Sequence, residues 1–518
     1  MKINNLWKIF LFYLFLIFFV FFLSNILKID KIKILLFIIY YSAFLNLLFI
    51  ILIKNITLLK WKKYFYLLNI NNLNLILILY FFWLTNWKKT FSIYLKKTNI
   101  YNLYFLDFYI DSISFCFIFL TLFLTPVILY LGFFYIKKNL KLYIFYFFLT
   151  EFFLINFFLT DNLIYFYIFF ESVLIPVFLI ILIWGSRKRK IHAAYFLFFF
   201  TLIGSLFMLF AILWLYFYTG LLNISLLNKI LLPKWHQNIL WLFFFLAFAV
   251  KIPIFPFYTW LPEAHVEAPT GGSILLAGVL LKLGLYGFLK INLTIFPIAT
   301  LYYKPYLYVL SFVSILYVSF IIFQQIDLKK IIAYSSIAHM NFVVLGMINN
   351  NFYGLQGSIF TMISHGFISS MLFFCIGIIY NRYKEKNILY FSNLHHLMPK
   401  FSYYFFFAFI ANMGVPGTSS FIGEFLILYS FSENLILLFI ISSSLFFSTF
   451  YCIWTYNRIF FGKKIIFILF KDLTKNENII LLFFVFFIIF LGIYPNILIN
   501  LINKNILNTC FFLLNKNV

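Results

Sequence analysis

Long apolar segments, separated by short connectors that hold most of the charged residues, run through nearly the whole sequence. A transmembrane helix needs about 20 mainly apolar residues. Backbone N–H and C=O groups inside a lipid bilayer must find partners within the protein, so segments of this length fold as helices. Because 65% of the 518 residues are apolar and only 10% are charged, the sequence predicts an all-α polytopic membrane protein.

The apolar segments predict about fourteen transmembrane helices. They lie at 6–27, 34–53, 106–134, 141–160, 162–184, 192–217, 239–260, 272–290, 305–324, 330–349, 354–380, 402–430, 434–461 and 478–500. Residues 65–84 are also apolar, but four asparagines interrupt them. This stretch therefore forms either a fifteenth span or a surface hairpin.

Two of the predicted spans contain helix-breaking residues. Pro253 and Pro256 each lack a backbone donor, so the seventh span is expected to be discontinuous just beyond Lys251. Pro416, with a glycine on either side of it in NMGVPG, interrupts the twelfth span in the same way. Broken helices five spans apart indicate an internal inverted repeat. The chain then divides into residues 1–105, a third span at 106–140, two repeats of five helices at 141–293 and 305–461, and a last span and tail at 478–518.

The basic residues indicate a membrane surface as their partner, not nucleic acid. The formal net charge is +25, but the lysines lie in short connectors and form no long basic face. The connectors after spans 3, 5, 9, 11 and 13 are the basic ones, and the positive-inside rule puts them on the matrix or cytoplasmic side. The connector after span 7 is an exception, because its ionisable residues are Glu263, Glu267 and His265. This exception indicates a local role, and we assign His265 as an accessory position.

Three ionisable residues, Glu171, Lys251 and Lys282, lie inside apolar spans. A charge at the centre of a bilayer costs roughly 2.5–3.5 kcal/mol, so such residues are expected to be functional. Opposite charges shift each other's proton affinity, so a Glu171/Lys251 pair can change protonation as its spacing changes. Lys282 is then the next station for a proton. The alternative is a static ion pair between two helices, which leaves Lys282 with no evident partner.

Two histidines and a second acid extend this series along the chain. A single buried histidine is more often a hydrogen-bonded structural residue, but His339 and His365 lie in successive spans between Lys282 and Glu424. Because histidine exchanges protons near neutral pH, this arrangement favours a proton relay that ends at Glu424. Glu151 lies in the middle of the fourth span and either faces a lysine or, if the span is shifted, sits near a helix end. We assign it as a second accessory position.

Nothing in the sequence indicates a cofactor site in this chain. The four cysteines are scattered singly and offer neither a CxxC pair nor an iron–sulfur ligand set. No GxGxxG or Walker-type loop is present. Moving one charge against a membrane potential costs about 2.3 kcal/mol per 100 mV, so the energy for proton movement is expected to come from partner proteins.

Several ordered motifs resemble the antiporter-like membrane subunits of mitochondrial NADH:ubiquinone oxidoreductase, respiratory complex I. The motifs are FFESVLIP, KIPIFPFYTWLPEAHVEAPT, GGSILLAGVLLKLGLYG, YSSIAHM, SHGFISSMLFFCIGIIYNR and NMGVPGTSSFIGEF, all within residues 106–460. Position 424 is glutamate, whereas the sister subunits carry lysine there. In this respect the chain resembles the subunit 4 group of the family. Residues 1–105 match the family poorly.

The resemblance implies an antiporter-like proton channel of fourteen helices with two inverted five-helix repeats. The family's proton pathway then falls, from the input side to the outlet side, on Glu171, Lys251, Lys282, His339, His365 and Glu424. Many family members have a histidine at the position of Tyr258, so the proton role of that position is not carried over to this chain.

The resemblance also implies the setting of the chain. NADH, FMN, iron–sulfur clusters and ubiquinone are expected in partner subunits, and the direct neighbours are other membrane-arm subunits, including antiporter-like ones, together with lipids. The abundance of Phe and Tyr and the scarcity of Arg suggest A+T-rich codons and hence an organelle-encoded protein of the mitochondrial inner membrane. The alternatives are a plastid-type homologue of the same complex, a stand-alone cation/proton antiporter, and a structural spacer of a membrane arm.

Overall fold

The structure, a computed structural model, describes residues 93–94, 109–136, 138–462, 471–503 and 506. The predicted spans at 6–27 and 34–53 and the apolar stretch at 65–84 lie outside these residues. The chain divides into two compact units, residues 1–161 and residues 162–518.

The described residues of the first unit form a short β-ribbon and two long helices. Strand β1 (Ile93–Tyr94) pairs in antiparallel register with strand β2 (Tyr109–Ile110). Helix α1 (Ser112–Tyr135) and helix α2 (Leu140–Leu159) follow, and they pack together with Phe117 stacked on Phe158 at a ring distance of 5.3 Å. Both helices are apolar on all sides, as is expected of segments that face lipid and other helices.

The second unit is built from helices only, within the described residues. They are α3 (Leu163–Ser172), α4 (Leu174–Trp184), α5 (Lys190–Thr219), α6 (Ile224–Leu227), α7 (Lys234–Lys251), α8 (Trp260–Glu267), α9 (Thr270–Leu275), α10 (Leu281–Gly287), α11 (Leu293–Ile295), α12 (Pro297–Gln324), α13 (Leu328–Ile348), α14 (Phe352–Tyr383), α15 (Leu394–Leu397), α16 (Pro399–Asn412), α17 (Ser419–Ser430), α18 (Leu435–Phe460) and α19 (Lys475–Ile493). Two π-helical turns, Leu276–Leu280 and Phe288–Asn292, join α9 to α10 and α10 to α11, and a 3-10 turn spans Ile388–Tyr390.

The described part of the chain has ten helices long and apolar enough to cross a membrane, counting α3 with α4 and α9 with α11 as continuous spans. The predicted polytopic, largely helical membrane protein is therefore confirmed. The count of about fourteen spans includes segments outside the described residues and stays a prediction.

Two further apolar segments are each split into two short helices. Helix α7 ends at Lys251, and α8 begins only at Trp260. Helix α16 ends at Asn412, and α17 begins at Ser419. Both gaps contain prolines, which cannot donate to a helical hydrogen-bond ladder. In the part of the chain that the structure describes, the helical bundle is thus interrupted at both places where the sequence predicts a break.

Helices α14 and α17 approach each other closely because a glycine lies at their contact. A Cβ atom added to Gly423 would lie 2.8 Å from the backbone nitrogen of Thr361, closer than real Cβ contacts come. The absence of a side chain at this position therefore sets the helix spacing. It also brings Glu424, the next residue, against the helix that carries His365.

Candidate functional site

Lys282 is fully buried and lies directly after the π-helical turn Leu276–Leu280. Its Nζ donates a hydrogen bond to the carbonyl oxygen of Ala277, inside that turn. The same Nζ lies 3.0 Å from Nδ1 of His365, which comes from the middle of α14. Such π-helical turns in proteins frequently occur at functional sites, because they alter the local ladder and redirect side chains.

Two histidines and a glutamate continue the contact from Lys282. The imidazole rings of His365 and His339 are 5.7 Å apart between centroids. Nδ1 of His339, on α13, lies 3.5 Å from Oε1 of Glu424, on α17. Four ionisable side chains from four helices thus form one series within the second unit. Their spatial order is Lys282, His365, His339 and Glu424, so the two histidines follow each other in the reverse of their sequence order.

A small cavity lies beside the second half of this series. His339, His365 and Glu424 line it, and Asn412, Ser420, Thr361 and Ser364 supply polar groups to its wall. The volume in which the centre of a water molecule fits is about 10 Å³, close to what one water requires. Nε2 of His339 is buried and has no hydrogen-bond partner within the described residues. One water in this cavity would give that nitrogen a partner.

Glu171 and Lys251 lie close enough to act on one another electrostatically, but they do not form a closed ion pair. Nζ of Lys251 donates instead to the carbonyl oxygen of Phe170 at 2.8 Å and lies 3.5 Å from the centre of the Phe170 ring. Oε1 of Glu171 is buried without a hydrogen-bond partner among the described residues. This geometry differs from that of a static ion pair, because the lysine is bonded to a backbone carbonyl and one carboxylate oxygen has no hydrogen-bond partner in the described part of the chain.

The two accessory positions have different surroundings. His265 is fully buried and stacks on Phe373 at a ring distance of 4.7 Å, and neither ring nitrogen has a hydrogen-bond partner within the described residues. Glu151 lies in the middle of α2, so the reading that puts it near a helix end is wrong. Its Oε1 accepts a hydrogen bond from Oγ1 of Thr125 at 3.3 Å, inside the first unit.

A charged cluster that the sequence does not reveal holds the end of α8. Lys386, from the loop after α14, donates to Oγ of Ser186 and to the carbonyl oxygen of Val266, both at 2.6 Å. Glu267 accepts from the backbone nitrogen of Arg187 at 3.0 Å. Lys329 donates to the carbonyl oxygen of Ala268 at 2.7 Å. The acidic connector after span 7 is thus met by basic residues from the start of α13 and from the loop after α14, which lie 61 and 120 residues further along the chain.

Lys386 gives a stability prediction that depends on pH. Burial lowers the pKa of its ammonium group to about 8, and the nearby Glu267 carboxylate opposes this shift only in part. An unfolded lysine titrates near 10.5. Between these pH values the unfolded chain binds more protons than the folded chain, so folded stability rises with pH across this window, by about 3 kcal/mol in total. Below it, both states carry the proton and the cost of burying the charge is constant.

The measurement is thermal unfolding of the assembled protein at about pH 7 and about pH 10, compared between wild type and Lys386→Met. The variant loses two hydrogen bonds at every pH, but it should lack the rise that wild type shows between the two values. Lys384→Met is the matched control, because Lys384 is an exposed neighbour in the same loop. An identical pH dependence in wild type and Lys386→Met would contradict the assignment.

The site can accept, hold and release protons along a line. Lys282, His365, His339 and Glu424 are all side chains that exchange protons, and two of the three neighbouring pairs are within or near hydrogen-bond range. The step between the two imidazoles needs ring rotation or one bridging water, for which the adjacent cavity has room. Within the described part of the chain, no group of three or more His, Cys, Asp or Glu side chains could hold a metal ion.

Comparison with known proteins connects this site to a family. A family model described as the transmembrane part of NADH:quinone oxidoreductase and Mrp antiporters matches residues 160–450. The chain is similar to NADH-ubiquinone oxidoreductase chain 4 of Marchantia polymorpha, with 49% identity over 408 residues that cover 78% of this chain and 82% of that protein. The same protein of Chondrus crispus is 49% identical over 411 residues, covering 79% and 83%.

Solved structures agree on the fold. A chain of respiratory complex I from Thermus thermophilus has a TM-score of 0.80 at 25% identity and covers 92% of this chain and 99% of its own length. A chain of the Mrp complex from Dietzia has a TM-score of 0.78 at 16% identity, with coverages of 91% and 96%, and so supports the fold alone. The chain belongs to the NADH:quinone oxidoreductase/Mrp antiporter family of membrane proteins, and within it to the NADH-ubiquinone oxidoreductase chain 4 group.

Proposed function

We propose that this chain is a proton-translocating, antiporter-like subunit of respiratory complex I. The observation that carries the proposal is the buried series Lys282, His365, His339 and Glu424, which joins four helices of the second unit. Family membership supplies the setting, because the relatives named above are chains of NADH-ubiquinone oxidoreductase. The chain itself moves protons, and electron transfer from NADH to ubiquinone takes place in other subunits.

Glu171 and Lys251 act as the switch at the input side. When the two side chains approach, the carboxylate favours the protonated lysine, and when they separate, Lys251 gives its proton on toward Lys282. The open arrangement of this pair supports the idea, since Lys251 is bonded to the Phe170 carbonyl and Oε1 of Glu171 has no hydrogen-bond partner among the described residues. Conformational change in neighbouring subunits sets the spacing. Because the chain carries no identified energy source, the drive for uphill transport comes from these neighbours.

The finer architecture belongs to the same proposal. Fourteen transmembrane helices form two inverted repeats of five, at 141–293 and 305–461, with the helix breaks at Pro253 and Pro256 and at Pro416. The gaps after Lys251 and after Asn412 support this division, because interrupted helices in corresponding places are a mark of inverted repeats. The proton pathway uses both breaks, with Lys251 at the first and Glu424 just beyond the second.

The surroundings of the chain follow from its relatives. Its partners are other membrane-arm subunits of complex I, including neighbouring antiporter-like subunits, and lipids cover the remaining apolar faces. NADH, FMN, iron–sulfur clusters and ubiquinone bind in partner subunits. The membrane is the mitochondrial inner membrane, and the gene is carried by the organelle, as the amino-acid composition suggests.

Two substitutions in the reconstituted complex test the proposal. Lys251→Met and Glu424→Gln each remove a proton-exchanging group while nearly keeping the size of the side chain. Both should lower the number of protons moved per NADH oxidised, or slow quinone reduction when the reaction is coupled to pumping. Glu433→Gln, an exposed acid in the loop after α17, is the control and should behave as wild type. Full reductase turnover with a full proton gradient in both test variants would rule the proposal out.

A stand-alone cation/proton antiporter is the second candidate, because the fold is shared with a chain of an Mrp complex. The same buried series would serve exchange of a proton for a sodium ion. The two candidates separate when the chain is placed alone in liposomes. Sodium/proton exchange without any redox partner would favour the antiporter, and its absence would favour the complex I subunit.

A further inference from the structure

Gly414 lies in the break between α16 and α17, where the carboxylate of Glu424 packs against the backbone. The φ angle of Gly414 is +73°, a left-handed conformation that glycine adopts without strain. A Cβ atom built on this residue would fall inside the contact distance of Glu424 Oε2 and would lie 3.2 Å from the carboxyl carbon. The missing side chain therefore leaves the space that one carboxylate oxygen occupies.

The other oxygen of this carboxylate faces the proton series. Glu424 Oε1 lies 3.5 Å from Nδ1 of His339. The carboxyl group is thus held between the bare backbone of Gly414 on one side and an imidazole on the other. Because Oε2 already lies against Gly414, packing against this residue limits how far the carboxylate can withdraw from His339.

We propose that Gly414 is a positioning residue for proton transfer, because its missing side chain seats the Glu424 carboxylate within reach of His339. This inference rests on the function proposed above for Glu424. It gives Gly414, the first glycine of NMGVPG, a role in addition to breaking the helix. A side chain at 414 would push the carboxylate out of its seat and away from the imidazole.

Gly417 provides a matched control in the same break. Its φ angle is +93°, and a Cβ atom built on it would meet no other atom within 4 Å. Gly414→Ala and Gly417→Ala therefore impose a similar backbone cost, but only the first collides with Glu424. The two variants separate the positioning role from the role of glycine in forming the turn.

The experiment compares Gly414→Ala, Gly417→Ala, Glu424→Gln and the double variant Gly414→Ala/Glu424→Gln in the reconstituted complex. A displacement of about 1 Å can cost roughly 10²-fold in rate, so proton translocation should fall by that order in Gly414→Ala and stay near wild type in Gly417→Ala. The double variant should match Glu424→Gln, because the glycine acts only through the acid. The infrared band of the Glu424 carboxyl, identified by its loss in Glu424→Gln, should titrate at a shifted pH in Gly414→Ala.

The outcomes distinguish the two proposals. If Glu424→Gln pumps as wild type, the function proposed for Glu424 fails. If Glu424→Gln is impaired while Gly414→Ala and its carboxyl band are unchanged, only the positioning role fails. An additional loss in the double variant would mean that the glycine acts apart from the acid, which also overturns the inference.

If the Gly414→Ala complex does not assemble, a further double variant, Gly414→Ala/Glu424→Ala, tests the inference. Glu424→Ala in the same chain removes the side chain that the new methyl group meets, so it should restore assembly. Restored assembly would support the inference that Gly414 leaves space for the Glu424 carboxylate. Continued failure to assemble would contradict it, because the glycine would then be needed only for its backbone conformation.

Discussion

Replacing Lys282 by methionine should stop proton translocation through this subunit while leaving the complex assembled. Lys282 is the first group of the series, and its Nζ lies 3.0 Å from Nδ1 of His365. Removing a positioned acid–base group typically costs about 10²-fold or more in the proton-transfer step. Methionine has a similar length and no charge, and exchanging a buried ion for an apolar side chain of similar size is often neutral for stability.

The measurement is proton uptake into proteoliposomes per NADH oxidised, with reductase turnover recorded in parallel. Lys290→Met is the matched control, because Lys290 follows on the same continuous span but donates to the hydroxyl of Tyr286 instead. The control should keep both quantities near wild type. If Lys282→Met pumps as well as Lys290→Met, Lys282 does not carry protons.

His365→Gln should give the second largest loss. His365 stands between Lys282 and His339, with Nδ1 at 3.0 Å from the lysine Nζ and its ring centroid at 5.7 Å from that of His339. Glutamine keeps hydrogen-bonding groups and approximate size, but it does not titrate near neutral pH, so it cannot accept and release the proton. We expect the rate of proton translocation to fall by roughly 10²-fold, as for the loss of other acid–base groups.

Two comparisons support the reading of this variant. His396→Gln alters an exposed histidine in the short helix α15 and should be neutral. His265→Gln tests whether the buried ring stacked on Phe373 belongs to the pathway, since a loss there would add His265 to the series. Normal pumping in His365→Gln would show that protons bypass the imidazole.

The sequence predicts much of the fold because its elements are local. Apolar segments about 20 residues long mark the spans, and Pro253 and Pro416 mark the interruptions in the backbone ladder. Ionisable side chains within apolar spans, whose insertion into a membrane costs free energy, are also visible in the sequence. Lys282 and Glu424 can therefore be identified from it as candidates.

What the sequence does not reveal is how the helices pack. The order of the histidines is an example, because His365 contacts Lys282 although His339 comes earlier in the chain. Backbone acceptors are a second example. Lys251 donates to the carbonyl oxygen of Phe170, and every residue has such an oxygen, so the residue type does not identify the acceptor. The seat at Gly414 depends on a turn that brings residue 424 back over the chain. Each of these contacts joins residues whose neighbourhood is decided by tertiary packing.

The central claim is that Lys282 and Glu424 belong to one continuous proton pathway. The number of protons moved per NADH in the double variant Lys282→Met/Glu424→Gln tests it most directly, beside the two single variants. Groups in one series fail together, so the double variant should lose no more than either single variant loses. If the total loss in the double variant equals the sum of the two single losses, the two residues serve independent routes and the claim is contradicted.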